Sequence, residues 1–256
     1  MGIQLVSVMS EETVKFKVKR QDTPDTDAYY DEFEVPYEQG MNVISLLMAT
    51  KAYPQTTKGD ATTPVSYQSA CLEEVCGSCT MVINGKVQQA CTALVDQLGS
   101  SITIEPMTKF PVQRDLVVDR SNMFENLKKV KAWIEVDGIY ELGEGPRVMP
   151  EVQEENYLLS RCMTCGCCLE VCPQWTNDNA FLGAQPISQA VLFNSHPNGE
   201  STKGDRTQAL IDNGLNDCGN AQECVKACPK EIPLTESIAR ANREATVHMI
   251  DKALRS

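Results

Sequence analysis

The sequence predicts an α+β protein in two parts: a small mixed sheet crossed by one helix, then a mostly helical half. Three observations carry this. Val14, Phe16 and Val18 alternate with charged neighbours, the mark of a half-buried strand. Asn84-Gly85 stands between two alternating runs, the strongest short hairpin signal a sequence offers. Beyond residue 118, Met123, Leu127, Val130 and Ile134 lie three and four apart, which is helical spacing. The length of 256 residues suits one large domain or two small ones, long enough to bury a core without disulfide staples.

Taken in order, ETVKFKVKR (12–20) is the first strand. QDTPDTDAYYD (21–31) reads as a polar loop, and EFEVPY (32–37) resumes the alternation. Asn42 is placed to cap a short helix through Val43, Leu46 and Leu47. Residues 53–65 form another loop, MVINGKVQQ (81–89) the hairpin, and SITIEP (101–106) a further strand. MTKFPVQRDLVVD (107–119) holds a proline and no sustained period, so it is taken as the joint, with domains drawn at 1–110 and 111–256. Residues 141–153, with Gly143, Gly145, Pro146 and Pro150, read as loop; 154–173 and 233–254 read as helices or helix ends.

A formal net charge of -12 excludes a nucleic-acid binder that works by neutralising phosphates, so no nucleic-acid partner is expected. No window approaches the ~18 consecutive apolar residues of a membrane helix. The opening MGIQLVSVMSEETVKFKVKR lacks the basic-then-apolar order of a signal peptide. The expectation is an intracellular chain that meets a membrane only by docking onto another protein.

Cysteine is the outlier. Of twelve, four lie between 71 and 91, five between 162 and 172, and three between 218 and 228. Without a secretion signal, clustered cysteines are read as metal ligands ahead of disulfides. Cys71-x4-Cys76-x2-Cys79-x11-Cys91 has the spacing of plant-type [2Fe–2S] ferredoxins. Three thiolates share one tight loop, Gly77 lets the backbone close around them, and loop N–H groups can face the sulfurs. Cys91 returns after the hairpin. A structural zinc site is the alternative, although zinc sites commonly use paired C-x2-C knuckles.

CMTCGCCLEVCP (162–173) and CGNAQECVKACP (218–229) superpose without a gap, pairing Cys162 with Cys218, Cys168 with Cys224 and Cys172 with Cys228. The first copy is the bacterial ferredoxin run, whose last cysteine ligates the other run's cluster in two-cluster proteins. That crossover assigns Cys162, Cys165, Cys168 and Cys228 to one [4Fe–4S] cluster. Cys172, Cys218 and Cys224 hold the other, whose fourth corner falls on Ala221. A methyl group cannot bind iron, so a [3Fe–4S] cluster is expected there. The alternative is [4Fe–4S] with a non-thiolate ligand on one iron. Cys167 is left over and is read as a small apolar core residue.

His196 and His248 are isolated, no serine stands in a nucleophile elbow, and no glycine-rich phosphate loop occurs. No catalytic residue is therefore named. The chain reads as a wire for single electrons.

Together, CLEEVCGSCTMVINGK, FPVQRDLVVDRSNMF, CMTCGCCLEVCP and CGNAQECVKACPK resemble the iron–sulfur subunit of succinate dehydrogenase and fumarate reductase, menaquinone-linked single-anchor type, along nearly the whole chain. The resemblance implies a β-grasp [2Fe–2S] domain followed by a helical [4Fe–4S]/[3Fe–4S] domain. It implies a flavoprotein partner whose FAD interconverts succinate and fumarate in the tricarboxylic acid cycle. It also implies a membrane anchor, often with haem b, that exchanges electrons with menaquinone or another quinone. The subunit would then sit peripherally on the cytoplasmic face of the cell membrane. Some relatives contribute a Trp and a His to a quinone pocket; here Trp175 is shifted and Gly219 follows Cys218, which implies that quinone binds within the anchor. Fumarate reductase running in reverse is one alternative. Others are the iron–sulfur subunit of a thiol- or heterodisulfide-linked reductase and a zinc-stapled interaction module.

Overall fold

The computed structural model describes residues 12–135 and 147–255. The chain forms two compact units that meet in sequence between Asp119 and Arg120.

The first unit is built on a five-stranded sheet. Strands β1 (Thr13–Arg20), β2 (Tyr29–Pro36), β3 (Thr80–Ile83), β4 (Lys86–Gln89) and β5 (Ile102–Glu105) lie in the order β2-β1-β5-β3-β4. Only the β1–β5 pair is parallel. The alternation in β1 buries Phe16 and Val18 against Phe33 and Val35 of β2, with the two phenyl rings stacked 5.4 Å apart. Helix α1 (Val43–Ala52) closes this core with Val43, Leu46 and Leu47.

Asn42 caps α1 as expected: its Oδ1 accepts from Ser45 N at 3.0 Å, and the Ser45 hydroxyl accepts from Asn42 N. The same amide donates from Nδ2 to the Cys91 carbonyl at 2.9 Å, tying the helix start to the fourth cysteine of the first group. Asn84 and Gly85 both take positive φ, 50° and 76°, as a two-residue hairpin turn demands.

Some elements differ from the sequence expectation. β2 begins at Tyr29, inside the expected loop, because Tyr29 and Tyr30 pair in register with Arg20 and Lys19. A short helix, α2 (Val95–Leu98), precedes β5. The joint is structured: β6 (Val112–Arg114) and β7 (Val117–Val118) form a hairpin that turns at Asp115, φ 48°.

The second unit is helical. α3 (Ser121–Lys129) carries the expected Met123 and Leu127, but stops before Val130, so Ile134 lies outside it. α4 (Pro150–Ser160) starts four residues before the expected helix, within the segment read as loop. Proline at the first helical position needs no N–H partner and supplies a helical φ. Of the rest of that expected loop, 147–149 form neither helix nor strand, and 141–146 fall outside the described residues. The helix expected over 154–173 is broken after Ser160, because Thr164 (φ 52°) and Gly166 (φ 93°) are left-handed; only α5 (Cys167–Glu170) resumes it. α6 (Ala184–Ser195), α7 (Lys203–Asp212) and α8 (Glu223–Ala227) follow, and α9 (Leu234–Arg255) matches the last expected helix. α9 packs on α6 and α7, and α5 packs beside α8. Among the described residues no helix is long and apolar enough to cross a membrane.

Candidate iron–sulfur sites

The first cysteine group sits on a loop that runs into β3. Leu72, Glu74 and Gly77 take φ of 62°, 55° and 70°, which curls the backbone so that its amides face inward. Three of them, Glu73 N, Val75 N and Cys76 N, donate to Cys71 Sγ at 3.4, 3.3 and 3.3 Å. Such a nest of N–H groups is suited to a sulfur that carries negative charge. Cys76 is exposed, and its sulfur lies 3.0 Å from the Ser78 hydroxyl. That hydroxyl, with the neighbouring amides, pulls the Cys76 thiol down to about 6. Cys79 is buried beside Cys91, and burial pushes its thiol up to about 11.

The sheet anchors this loop from behind. Thr80 Oγ1 donates to the Gly77 carbonyl at 2.8 Å, Gln89 Nε2 donates to Thr80 Oγ1 at 2.8 Å, and Gln89 Oε1 faces Cys79 Sγ at 3.5 Å. β4 thereby fixes both the loop and the approach to Cys91.

In the second unit Cys162, Cys165, Cys168 and Cys228 line one small cavity, with Gly166 and Gln185 also on its wall. Burial raises the Cys162 thiol to about 11 and Cys168 well above its ordinary value, and both also feel the charge of Cys165 and Cys228. Cys165 goes the other way, to about 7: the Cys167 side chain hydrogen-bonds to it, and the positive charge of Arg120 assists. Cys167 is therefore more than the expected apolar filler, although it is fully buried in α5.

The third set forms around Cys224, whose thiol is raised by burial and then by the charges of Cys172 and Cys218. Cys172 Sγ reaches Gln174 Oε1 at 3.9 Å. The Gln174 amide nitrogen would lie only 2.6 Å from a Cβ at position 219, so Gly219 makes room for it. Ala221 is exposed between Asn220 (φ 53°) and Gln222 (φ 62°).

Cys71 thus lies by Cys76 and Cys79 by Cys91, Cys162, Cys165, Cys168 and Cys228 line one cavity, and Cys172 and Cys218 lie near Cys224; among the described residues no three Cys, His, Asp or Glu side chains converge closely enough to hold a bare metal ion. Sequence reasoning missed the polar residues behind the thiols: Ser78, Gln89, Thr164, Gln174 and Gln185. Ser78 and Thr164 stand between cysteines and could have been suspected, whereas nothing local marks Gln185. His196 Nδ1 accepts from Asn198 N at 3.2 Å and His248 Nε2 pairs with Gln208 Oε1 at 3.3 Å, so both histidines are satisfied locally. Trp175 is fully buried, its ring beside Gly183.

Grouped thiols, with inward amides at the first site, are a donor set suited to iron–sulfur clusters. A sheet unit carrying one such loop, joined to a helical unit with two interleaved sets, defines a two-domain iron–sulfur electron carrier. Residues 15–125 match the 2Fe-2S iron-sulfur cluster binding domain family, and residues 158–232 match the 4Fe-4S dicluster domain family. The chain is 55% identical to the succinate dehydrogenase iron-sulfur subunit of Bacillus subtilis (strain 168) over 241 residues, 93% of this chain and 95% of that protein. It is 32% identical to the fumarate reductase iron-sulfur subunit of Wolinella succinogenes over 184 residues, 70% of this chain and 77% of that one. In fold it is similar to a chain of the Mycobacterium smegmatis Sdh1 complex in the apo form, with a TM-score of 0.73 at 24% identity, over 91% of this chain and 95% of that one. The chain belongs to the family of succinate dehydrogenase and fumarate reductase iron–sulfur subunits. Its work is electron transfer, through a [2Fe–2S] domain and a [4Fe–4S] domain, and the family also carries a [3Fe–4S] cluster.

Proposed function

We propose that this subunit takes electrons from the FAD of a flavoprotein subunit as succinate is oxidised to fumarate, and delivers them to a membrane anchor. The route runs from [2Fe–2S] on Cys71, Cys76, Cys79 and Cys91, to [4Fe–4S] on Cys162, Cys165, Cys168 and Cys228. It ends at [3Fe–4S] on Cys172, Cys218 and Cys224. We draw the domain boundary at the Asp119–Arg120 joint in place of 110/111, a reading supported by Asp115 and Leu116, which bond back to Gln21 and Ser66 of the first unit. The anchor carries haem b and passes the electrons to menaquinone, and the subunit lies on the cytoplasmic face of the membrane. The buried Trp175 and the missing His at Gly219 favour a quinone site within the anchor.

The observation that carries the reading is the crossover. Cys228 shares a cavity with Cys162, Cys165 and Cys168, while Cys172 and Cys218 charge Cys224. The clusters supply one-electron carriers, and the chain sets their potentials through burial, charge and hydrogen bonds to sulfur.

Low-temperature EPR on anaerobic washed membranes tests this before and after succinate. An oxidised [3Fe–4S] signal that succinate erases, with a reduced [2Fe–2S] signal appearing, is the expected result. A [3Fe–4S] signal indifferent to succinate keeps the wire and rejects the flavoprotein assignment. No signal in oxidised membranes rejects the three-cysteine set.

A further inference from the structure

The turn that follows Cys172 is held from three sides. Trp175 N donates to the Cys172 carbonyl at 3.3 Å, the Trp175 side chain is fully buried, and Asn179 Nδ2 donates to the Gln174 carbonyl at 2.6 Å. From this fixed backbone Gln174 sends its side chain across to the second cysteine run. Its amide lies over Gly219, where an added Cβ would stand 2.6 Å from Nε2, 3.0 Å from Cδ and 3.5 Å from Oε1. From that seat Oε1 faces Cys172 Sγ at 3.9 Å. One amide thus spans a thiol of the first run and the residue beside Cys218 of the second.

Gly219 makes the seat. Its φ lies outside the left-handed region, so no turn demands a glycine here and the backbone would accept alanine. The three atoms that a methyl group would meet first all belong to the Gln174 amide. The chemistry of the contact follows from the ligand's charge. A thiolate bound to iron has given up its proton, so it accepts hydrogen bonds and donates none. It repels an amide oxygen and attracts an amide N–H. A half-turn about the last side-chain bond puts Nε2 where Oε1 stands, because the two ends are nearly equal in size.

We propose that Gln174, seated on Gly219, turns its Nε2 to the Cys172 sulfur and raises the reduction potential of the cluster held by Cys172, Cys218 and Cys224. This rests on the ligand set proposed above. Reduction adds one electron to that cluster, and an N–H aimed at a ligand sulfur stabilises the charge gained. Gln174 and Gly219 are positioning residues, and neither binds iron.

The test is a mediated redox titration of the assembled complex in washed membranes, following the oxidised [3Fe–4S] EPR signal. At a fixed poised potential, Gln174→Leu is expected to lower the reduced-to-oxidised ratio of that cluster by about 2- to 10-fold, the net worth of one hydrogen bond. Gly219→Ala keeps the glutamine but evicts its amide, and is expected to give a shift of the same size. The double variant is expected to shift no further than either single one, because both changes remove one contact. The other two clusters are expected not to move. An unchanged ratio in either single variant, shifts that multiply in the double variant, or an equal shift in all three clusters overturns the proposal while leaving the ligand set standing. Should Gln174→Leu fail to assemble, Gly219→Ala decides alone. A complex that shows no oxidised [3Fe–4S] signal before any substitution overturns the ligand set, and the donor with it.

Discussion

Arg20 and Asp115 stand ninety-five residues apart and meet in a buried ion pair with no exposed side-chain surface on either partner. Arg20 Nε donates to Asp115 Oδ1 at 2.9 Å and Nη2 donates to Oδ2 at 3.3 Å. Asp115 also accepts from Ser66 N at 2.8 Å, and Arg20 Nη1 reaches Asp31 at 2.9 Å. The pair clamps the β6–β7 hairpin to β1 and to the segment that leads into the first cysteine loop.

Removing one partner strands the other charge in the core. Asp115→Ala and Arg20→Met are each expected to destabilise the first unit by about 3–5 kcal/mol, and the double variant by less than the sum. Urea unfolding of the full chain, followed by circular dichroism, measures all three. Single variants within about 1 kcal/mol of the parent, the range of an exposed bridge, would reject the clamp.

The cluster-free chain has thiols of unequal reactivity. Cys76, pulled down to about 6 by the Ser78 hydroxyl, is expected to alkylate first at pH 7, and Cys79, pushed up to about 11 by burial, far more slowly. The rate at Cys76 is expected to rise through about pH 6, and Ser78→Ala to move that inflection upward. The folded thiol ionises below its ordinary 9.0, so its contribution to apo stability is full above pH 9 and is lost as pH falls through about 6. Mass spectrometry after timed iodoacetamide quenching gives the order directly.

Gly183 leaves no room for a side chain. At φ 84° an added Cβ would lie 2.2 Å from Leu169 Cδ2 and 3.2 Å from the Trp175 ring. Backbone strain and overpacking act together, so Gly183→Ala is expected to cost about 2–4 kcal/mol in thermal or urea unfolding. Gly85→Ala meets nothing within 4 Å and carries the strain alone. It is expected to cost about 1–2 kcal/mol.

On the proposed ligand set, Ala221 takes the corner without a thiol. Ala221→Cys is expected to convert the three-iron cluster to [4Fe–4S], abolish its oxidised EPR signal, lower its potential and slow quinone reduction. Iron analysis should show one added iron per chain. An unchanged signal and iron content would mean that position 221 does not face the cluster.

Much of the architecture was legible because it is written in local periods and fixed spacings. The alternation in β1, the Asn42 cap and the Asn84-Gly85 turn depend on neighbours within a few residues, and all three stand in the structure. The extent of β2 was hidden because its first residues are exposed tyrosines and Asp31, whose strand character comes from pairing with β1. The break between α4 and α5 was hidden for a similar reason: left-handed Thr164 has no sequence signature apart from the cysteines around it. The cysteine sets themselves were readable by count and spacing. What lies behind them was not, since Gln185 comes to Thr164 and to the cavity wall only through the way α6 packs.

The proposed exchange of Cys172 and Cys228 between the two runs also bears on how the protein is made. On a ribosome the first run emerges early, with three of the thiols proposed for its cluster, yet the fourth stays out of reach until α6, α7 and α8 have followed. The second run brings two thiols of its own and needs Cys172 to come back to it. On that ligand set, neither cluster has all its thiols until the chain has been made through α8.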